Sequence, residues 1–123
     1  MKTLCEVELK GLPPTVNHLY RNSKRGYRYK TVSGRYYQDY VSLRLSQEWQ
    51  GRSEYAGDIG LHIEFTVKTR RRWDIDNRVK ALQDCLSMAG IIKDDKQVNI
   101  LHVERHAGNK TATYVDVYRS EEL

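Results

Sequence analysis

Ile59, Leu61, Ile63, Phe65 and Val67 alternate without a break with Gly60, His62, Glu64, Thr66 and Lys68. That two-residue period belongs to a strand with one face in a core. A chain of 123 residues has room for one such core and not for two. The pattern therefore commits residues 1–123 to a single domain built around a sheet, with this strand inside it. The strand then runs straight into Arg70-Arg71-Arg72-Trp73-Asp74-Ile75-Asp76-Asn77-Arg78-Val79-Lys80, where basic and acidic groups are crowded together.

Other periodicities fill in the fold. Leu4 to Leu9 alternates as a strand and ends at Gly-Leu-Pro-Pro. Residues 15–34 carry neither period and read as a long irregular loop up to Ser33-Gly34. Tyr37, Val41, Leu45 and Trp49 recur every four residues and predict a helix over Arg35 to Trp49. Val79, Leu82, Leu86 and Ala89 predict a second helix over 77–89, stopped by Gly90. Val98 to Arg105 and Thr111 to Arg119 read as strands, with His106-Ala107-Gly108-Asn109-Lys110 between them as a hairpin turn. The expected fold is α+β, in the order β-α-β-α-β-β, a mixed sheet with two helices packed on it.

A net charge of +5 and a pI near 9.2 favour a polyanionic partner. No apolar run approaches the roughly 20 residues of a membrane span, and the first residues lack a signal-peptide core. A cytoplasmic protein without a membrane partner is expected. Cys5 and Cys85 form no C-x-x-C pair and read as buried thiols. The four histidines show no zinc spacing, so any metal is expected to be hard and oxygen-ligated.

The segment from Arg70 to Lys80 holds what phosphodiester hydrolysis requires. In an extended stretch, residues i and i+2 point the same way, so Asp74 and Asp76 can present two carboxylates to one cation. Mg²⁺ commonly takes one or two carboxylates and keeps water and substrate phosphate as its other ligands. Lys80, one helical turn beyond Asp76, can stabilise charge on the scissile phosphate. The same residues also admit a bland reading, with Asp at a helix start capping free amides and pairing with Lys80 at i+4.

D-I-D-N-R-V-K, followed after the second helix by G-I-I-K-D-D-K-Q-V, resembles the signature of the RusA-family Holliday-junction resolvases, and the early P-P-T-V-N-H-L-Y resembles that family's opening. The resemblance implies a homodimeric, Mg²⁺-dependent crossover junction endodeoxyribonuclease, with Mn²⁺ as a substitute metal. It would nick four-way junction DNA symmetrically in recombination and repair. Asp74, Asp76 and Asp95 match the family's essential acids, which would ligate the metal, Lys80 matches its catalytic lysine, and Asp94 is an adjacent second acid. Trp73 departs from the pattern, since related sequences often carry a basic residue there.

Helix length adds a constraint. A helix of about 14 residues is about 20 Å long, which starts Asp95 far from Asp74 in its own chain. Either the following loop folds back or a partner subunit supplies Asp95, and a composite site across a two-fold axis is the favoured expectation.

DNA contacts are expected from Arg21, Lys24, Arg25, Arg28, Lys30 and Arg35, interleaved with Tyr27, Tyr29 and Tyr36, and from Arg70, Arg71, Arg72 and Asn77. A solvated loop with tyrosines packed on the core is the competing reading of the first group. Trp73 is either a wedge against an unstacked base or a core residue closing the strand end. Two other functions stay open, a non-catalytic DNA-binding protein and a metal-dependent nuclease for other branched or single-stranded nucleic acids.

Overall fold

The computed structural model describes residues 2–70 and 72–120. Among these described residues, six strands and three α-helices follow in order as β1 (Lys2–Lys10), α1 (Val16–Leu19), β2 (Tyr20–Asn22), β3 (Arg28–Lys30), α2 (Val32–Trp49), β4 (Ile59–Val67), α3 (Val79–Met88), β5 (Val98–Ala107) and β6 (Ala112–Arg119). Short 3-10 turns at Asp76–Arg78 and Asp95–Gln97 precede α3 and β5. The main sheet has the order β1-β6-β4-β5, with β4 parallel to β5 and antiparallel to β6. The mixed α+β architecture is the one expected, with α2 and α3 packed together as its principal helices.

The alternation of β4 is realised in full. Ile59, Leu61, Ile63 and Phe65 are no more than 1% exposed and meet Val41, Leu45 and Trp49 of α2 and Val79, Leu82, Cys85 and Leu86 of α3 in one core. Cys5, Val7 and Leu9 join it from β1. Both cysteines are free and buried, and burial pushes their thiols up, Cys5 to about 11 and Cys85 to about 12.

Three local expectations give way. Residues 98–119 do not form a hairpin, because β4 lies between β5 and β6 in the sheet. The connection instead crosses the end of β4, where the Gly108 amide donates to the Val67 carbonyl at 2.8 Å. A side chain at Gly108 would meet Thr66 at 2.7 Å, so the glycine serves close approach rather than a two-strand turn. Residues 15–34 are ordered, with α1 capped by Thr15 and a β2–β3 hairpin. Finally, α2 begins at Val32 and runs through Gly34, because Thr31 Oγ1 accepts the Gly34 amide at 3.0 Å. A Cβ at Gly34 would lie 2.9 Å from Leu19, so this glycine lets α1 pack against the helix it was expected to precede.

Gly60 of β4 sits under the ring of Tyr118, and a Cβ there would lie 2.2 Å from its Cζ. Tyr118 is 7% exposed and has little room to withdraw. Gly60→Ala should therefore cost about 1–3 kcal/mol in a denaturant titration. A variant as stable as the parent would show that the ring is free to move.

Candidate active site

The segment after β4 turns earlier than expected. Ile75 has right-handed helical angles (φ −69°, ψ −33°) and Asp76 opens the 3-10 turn that leads into α3. Asp74 and Asp76 are thus not neighbours on one face of an extended stretch. The physical reason is apolar, since Ile75 lines a groove with Val79 of α3 and Leu101 and Val103 of β5, and it reaches them only if the chain turns before Asp76. The Arg78 guanidinium donates to the Pro13 carbonyl at 2.6 Å, which ties the Pro-Pro segment to the same turn.

Asp76 and Lys80 share that groove with Gln83. On its other side Lys80 is held by acids, with Nζ 2.8 Å from Asp84 Oδ1 and 3.8 Å from Asp95 Oδ2. The hydrogen bond to Asp84 comes first in holding the ammonium above its ordinary value, and the charge of Asp95 adds to it. Lys80 is thereby kept cationic, suited to stabilise anionic charge rather than to accept a proton. The i+4 pairing open to Lys80 is made forwards with Asp84, not backwards with Asp76.

Asp84 is the functional candidate that motif reading overlooked. Its Oδ2 accepts from Gln38 Nε2 at 3.4 Å, and the same amide donates to the Ala81 carbonyl at 3.1 Å. Gln38 is fully buried in α2, so the two helices together fix the carboxylate that orients Lys80. The signal was present as K-x-x-x-D on one helical face, at the spacing that makes helix neighbours.

Asp95 reaches Lys80 within a single chain, which removes the premise for a composite site. Gly90 adopts φ +76°, the left-handed conformation open to glycine, and reverses the chain. Ile91 and Ile92 then bury completely, and the Tyr55 amide donates to the Ile91 carbonyl at 2.8 Å. Gln97 completes the anchor by donating to the carbonyls of Tyr55 at 2.7 Å and Gly57 at 3.0 Å. Burial of two isoleucines thus folds the loop back along α3.

The paired acids divide their work. Asp94 caps the 3-10 turn, accepting the Lys96 amide at 2.8 Å in a capping box with Gln97. That backbone hydrogen bond is the first cause of the depressed Asp94 carboxyl. Asp95 is left to face Lys80. Asp74 is exposed, and among the described residues Asp74, Asp76 and Asp95 do not converge within 4.8 Å of one another as a three-ligand cluster. The structure therefore groups Lys80 with Asp84 and Asp95 on one side and with Asp76 on the other.

Tyr20 and Lys30 of the β2–β3 hairpin line a groove with Asp84, Lys93, Asp94 and Asp95, which brings the basic hairpin to the edge of the site. Arg28 lies over the Tyr20 ring at 3.9 Å, while Tyr27, Tyr29 and Tyr36 are exposed. Arg21, Lys24, Arg25 and Arg35 are also exposed and Lys30 is half-buried. Tyrosines packed on the core do not describe this loop. Arg70 and Arg72 are exposed, Asn77 is half-buried in the 3-10 turn, and Arg71 lies outside the described residues. Trp73 packs its ring against Phe65 at 5.4 Å, with Arg78 over it at 5.0 Å, and its carbonyl accepts from Arg105. That packing, with Trp73 half-buried against the core, fits the core reading.

Comparison with known proteins gives this geometry a lineage. The family model for endodeoxyribonuclease RusA matches residues 11–118. The chain is 36% identical over 86 residues to a crossover junction endodeoxyribonuclease RusA of Escherichia coli (strain K12), covering 70% of each chain. It is equally similar, over the same share, to the protein of that name from Enterobacteria phage 82. A counterpart from Aquifex aeolicus (strain VF5) is 36% identical over 59 residues, 44% of this chain and 47% of that one. The match spans the Pro-Pro segment, the Asp76–Lys80 groove and the returning loop with Asp95, and the chain belongs to the RusA family of endodeoxyribonucleases.

Proposed function

We propose that this protein is a Mg²⁺-dependent homodimeric endonuclease that resolves four-way DNA junctions by paired symmetric nicks, serving recombination and repair in the cytoplasm. Its membership in the RusA family supports the substrate. The observation that carries the site assignment is Lys80, which joins the D-x-D-N segment to the distant D-D pair in one chain. No helix among the described residues is long and apolar enough to cross a membrane.

The donor chemistry suits a hard cation. Asp74, Asp76 and Asp95 offer exposed carboxylate oxygens, and Mg²⁺ needs only one or two of these beside water and phosphate. The ion would be held by carboxylates of this set, with Mn²⁺ able to replace it. When bound, the cation supplies Lewis-acid polarisation of the phosphate and a more acidic water. The protein contributes the rest. Lys80 places a fixed positive charge where the scissile phosphate gains negative charge. Asp84 and Gln38 hold that ammonium in place. Arg21, Lys24, Arg25, Arg28, Lys30 and Arg35 neutralise flanking phosphates, and Tyr27, Tyr29 and Tyr36 offer faces to bases unstacked at the branch.

Asp76→Asn should lower Mg²⁺-dependent nicking of a synthetic four-way junction by at least about a thousandfold, with junction binding retained or strengthened. Retained cleavage would dismiss Asp76 as a ligand, and binding without cleavage by the parent under every metal condition would leave a non-catalytic DNA-binding protein.

Because Asp95 faces Lys80 of its own chain, mixing Asp74→Asn and Asp95→Asn chains should restore no activity, since every site in the mixed dimer then carries a defect. Recovery of nicking in the heterodimer would show that the site is shared between subunits.

The raised Lys80 pKa carries a sign that can be checked. Stabilisation from the charged pair is complete below the ordinary lysine value of 10.5 and is lost as pH rises through the higher folded value. In Asp84→Asn the ammonium should lose its proton at lower pH, read by NMR at Lys80 Nζ. The alkaline limb of the nicking profile should move down with it, and an unmoved titration would mean that Asp84 does not set the charge.

A further inference from the structure

The face of the main sheet turned away from α2 and α3 carries a second group of metal-ligating side chains. Because β4 and β5 are parallel and in register, His62 stands opposite His102 and Glu64 opposite Glu104, and Thr66 stands opposite His106. Their imidazoles and carboxylates meet. His62 Nε2 is 3.5 Å and His102 Nε2 is 3.1 Å from the same oxygen, Glu104 Oε2. The two rings stack at 4.8 Å with 8° between their planes. The three ligand atoms lie within 4.8 Å of one another, and none of the three residues is buried. Leu101 and Val103, which point to the opposite face of β5, line the groove with Asp76 and Lys80. The two clusters are therefore separated by the sheet.

We propose that His62, His102 and Glu104 form a binding site for Zn²⁺ or a similar borderline transition metal, distinct from the nuclease site. Zn²⁺ binds imidazole nitrogen and carboxylate oxygen at about 2.0–2.2 Å, so neighbouring ligands on a tetrahedron lie about 3.3–3.5 Å apart. The 3.5 Å separation matches that edge and the 3.1 Å one is slightly tighter, and rotation of the stacked His62 and His102 rings would aim both nitrogens at one ion. Two nitrogens and one oxygen leave a fourth position for water or an anionic group. Imidazole selects such metals over Mg²⁺, which favours all-oxygen sites.

A second observation points the same way. Like charges placed directly opposite on a sheet destabilise it, yet Glu64 and Glu104 occupy paired positions. His106 Nε2 approaches both, at 3.2 Å from Glu64 Oε1 and 3.6 Å from Glu104 Oε1. It lies closer to Glu64 and stands beside the other oxygen of Glu104, the side from which an outer partner supports a ligating carboxylate. A cation at Glu104 Oε2 would offset the facing acids and fasten the edge strand β5 to β4.

The test is zinc titration of tag-free protein by calorimetry, together with cobalt spectroscopy. The expected result is one Zn²⁺ per chain for the parent and equally for Asp76→Asn, in which the nuclease acids are already compromised. The affinity should fall at least about tenfold in Glu104→Gln and further in the His62→Ala/His102→Ala double variant. Both variants should keep the parent circular dichroism, because the altered side chains are not buried. Bound Co²⁺ should give visible ligand-field bands of a tetrahedral site that vanish in the double variant. Failure of the parent to bind zinc, undiminished binding by the folded double variant, or loss of binding in Asp76→Asn would each overturn the assignment.

Discussion

Everything in this molecule depends on the apolar face of β4. Its alternating Ile, Leu and Phe side chains bury completely only if helices cover that face, and both of its edges are occupied by hydrogen-bonded strands. Pairing with β5 in parallel demands a crossover, which α3 provides. The crossover in turn brings the chain from the Asp74–Asp76 segment, set beside Leu101 and Val103, back to Asp95 just before β5 begins. The acidic groups and Lys80 are thus placed by a strand that contributes none of them.

Much of this could be read from residue spacing. Core faces of β1, β4, α2 and α3 follow from periods of two and of three to four, and Gly90 was recognisable as a helix stop. Strand neighbours were not legible, because a short Gly-Asn connection looks the same whether it closes a hairpin or steps over an intervening strand. Gly34 misled for a related reason. A helical glycine chosen for close packing against Leu19 cannot be told from a breaker without knowing what lies beside it.

The site shows the same division. Asp76 and Lys80 were named from their spacing and Asp95 from the family resemblance, and the structure brings Lys80 to each of the other two regions. The direct contact of Asp95 with its own chain was hidden, since it depends on Ile91 and Ile92 burying in the core and pulling the loop with them. Asp84 escaped attention because its importance rests on Gln38, a polar residue on an otherwise apolar helical stripe. The histidines of β4 and β5 lacked any local zinc spacing because their proximity is made by strand pairing, which no linear motif records.

β5 presents different chemistry on its two sides, with Leu101 and Val103 towards the nuclease groove and His102, Glu104 and His106 towards the open face. Side chains on a strand change sides with every residue, so sliding β5 by one position would send imidazole and carboxylate into the apolar groove and expose leucine and valine on the other face. The capped turn at Asp94–Gln97, locked to Tyr55 and Gly57, sets that frame just before the strand begins. Ile59 pairs with Val98 and Gly60 with Ile100, so a bulge at Asn99 absorbs one residue just after that turn, and the sidedness from Leu101 onward rests on the turn and the bulge together. Beyond the bulge, an insertion or deletion of a single residue changes both surfaces at once, whereas a pair of residues added together preserves their sidedness.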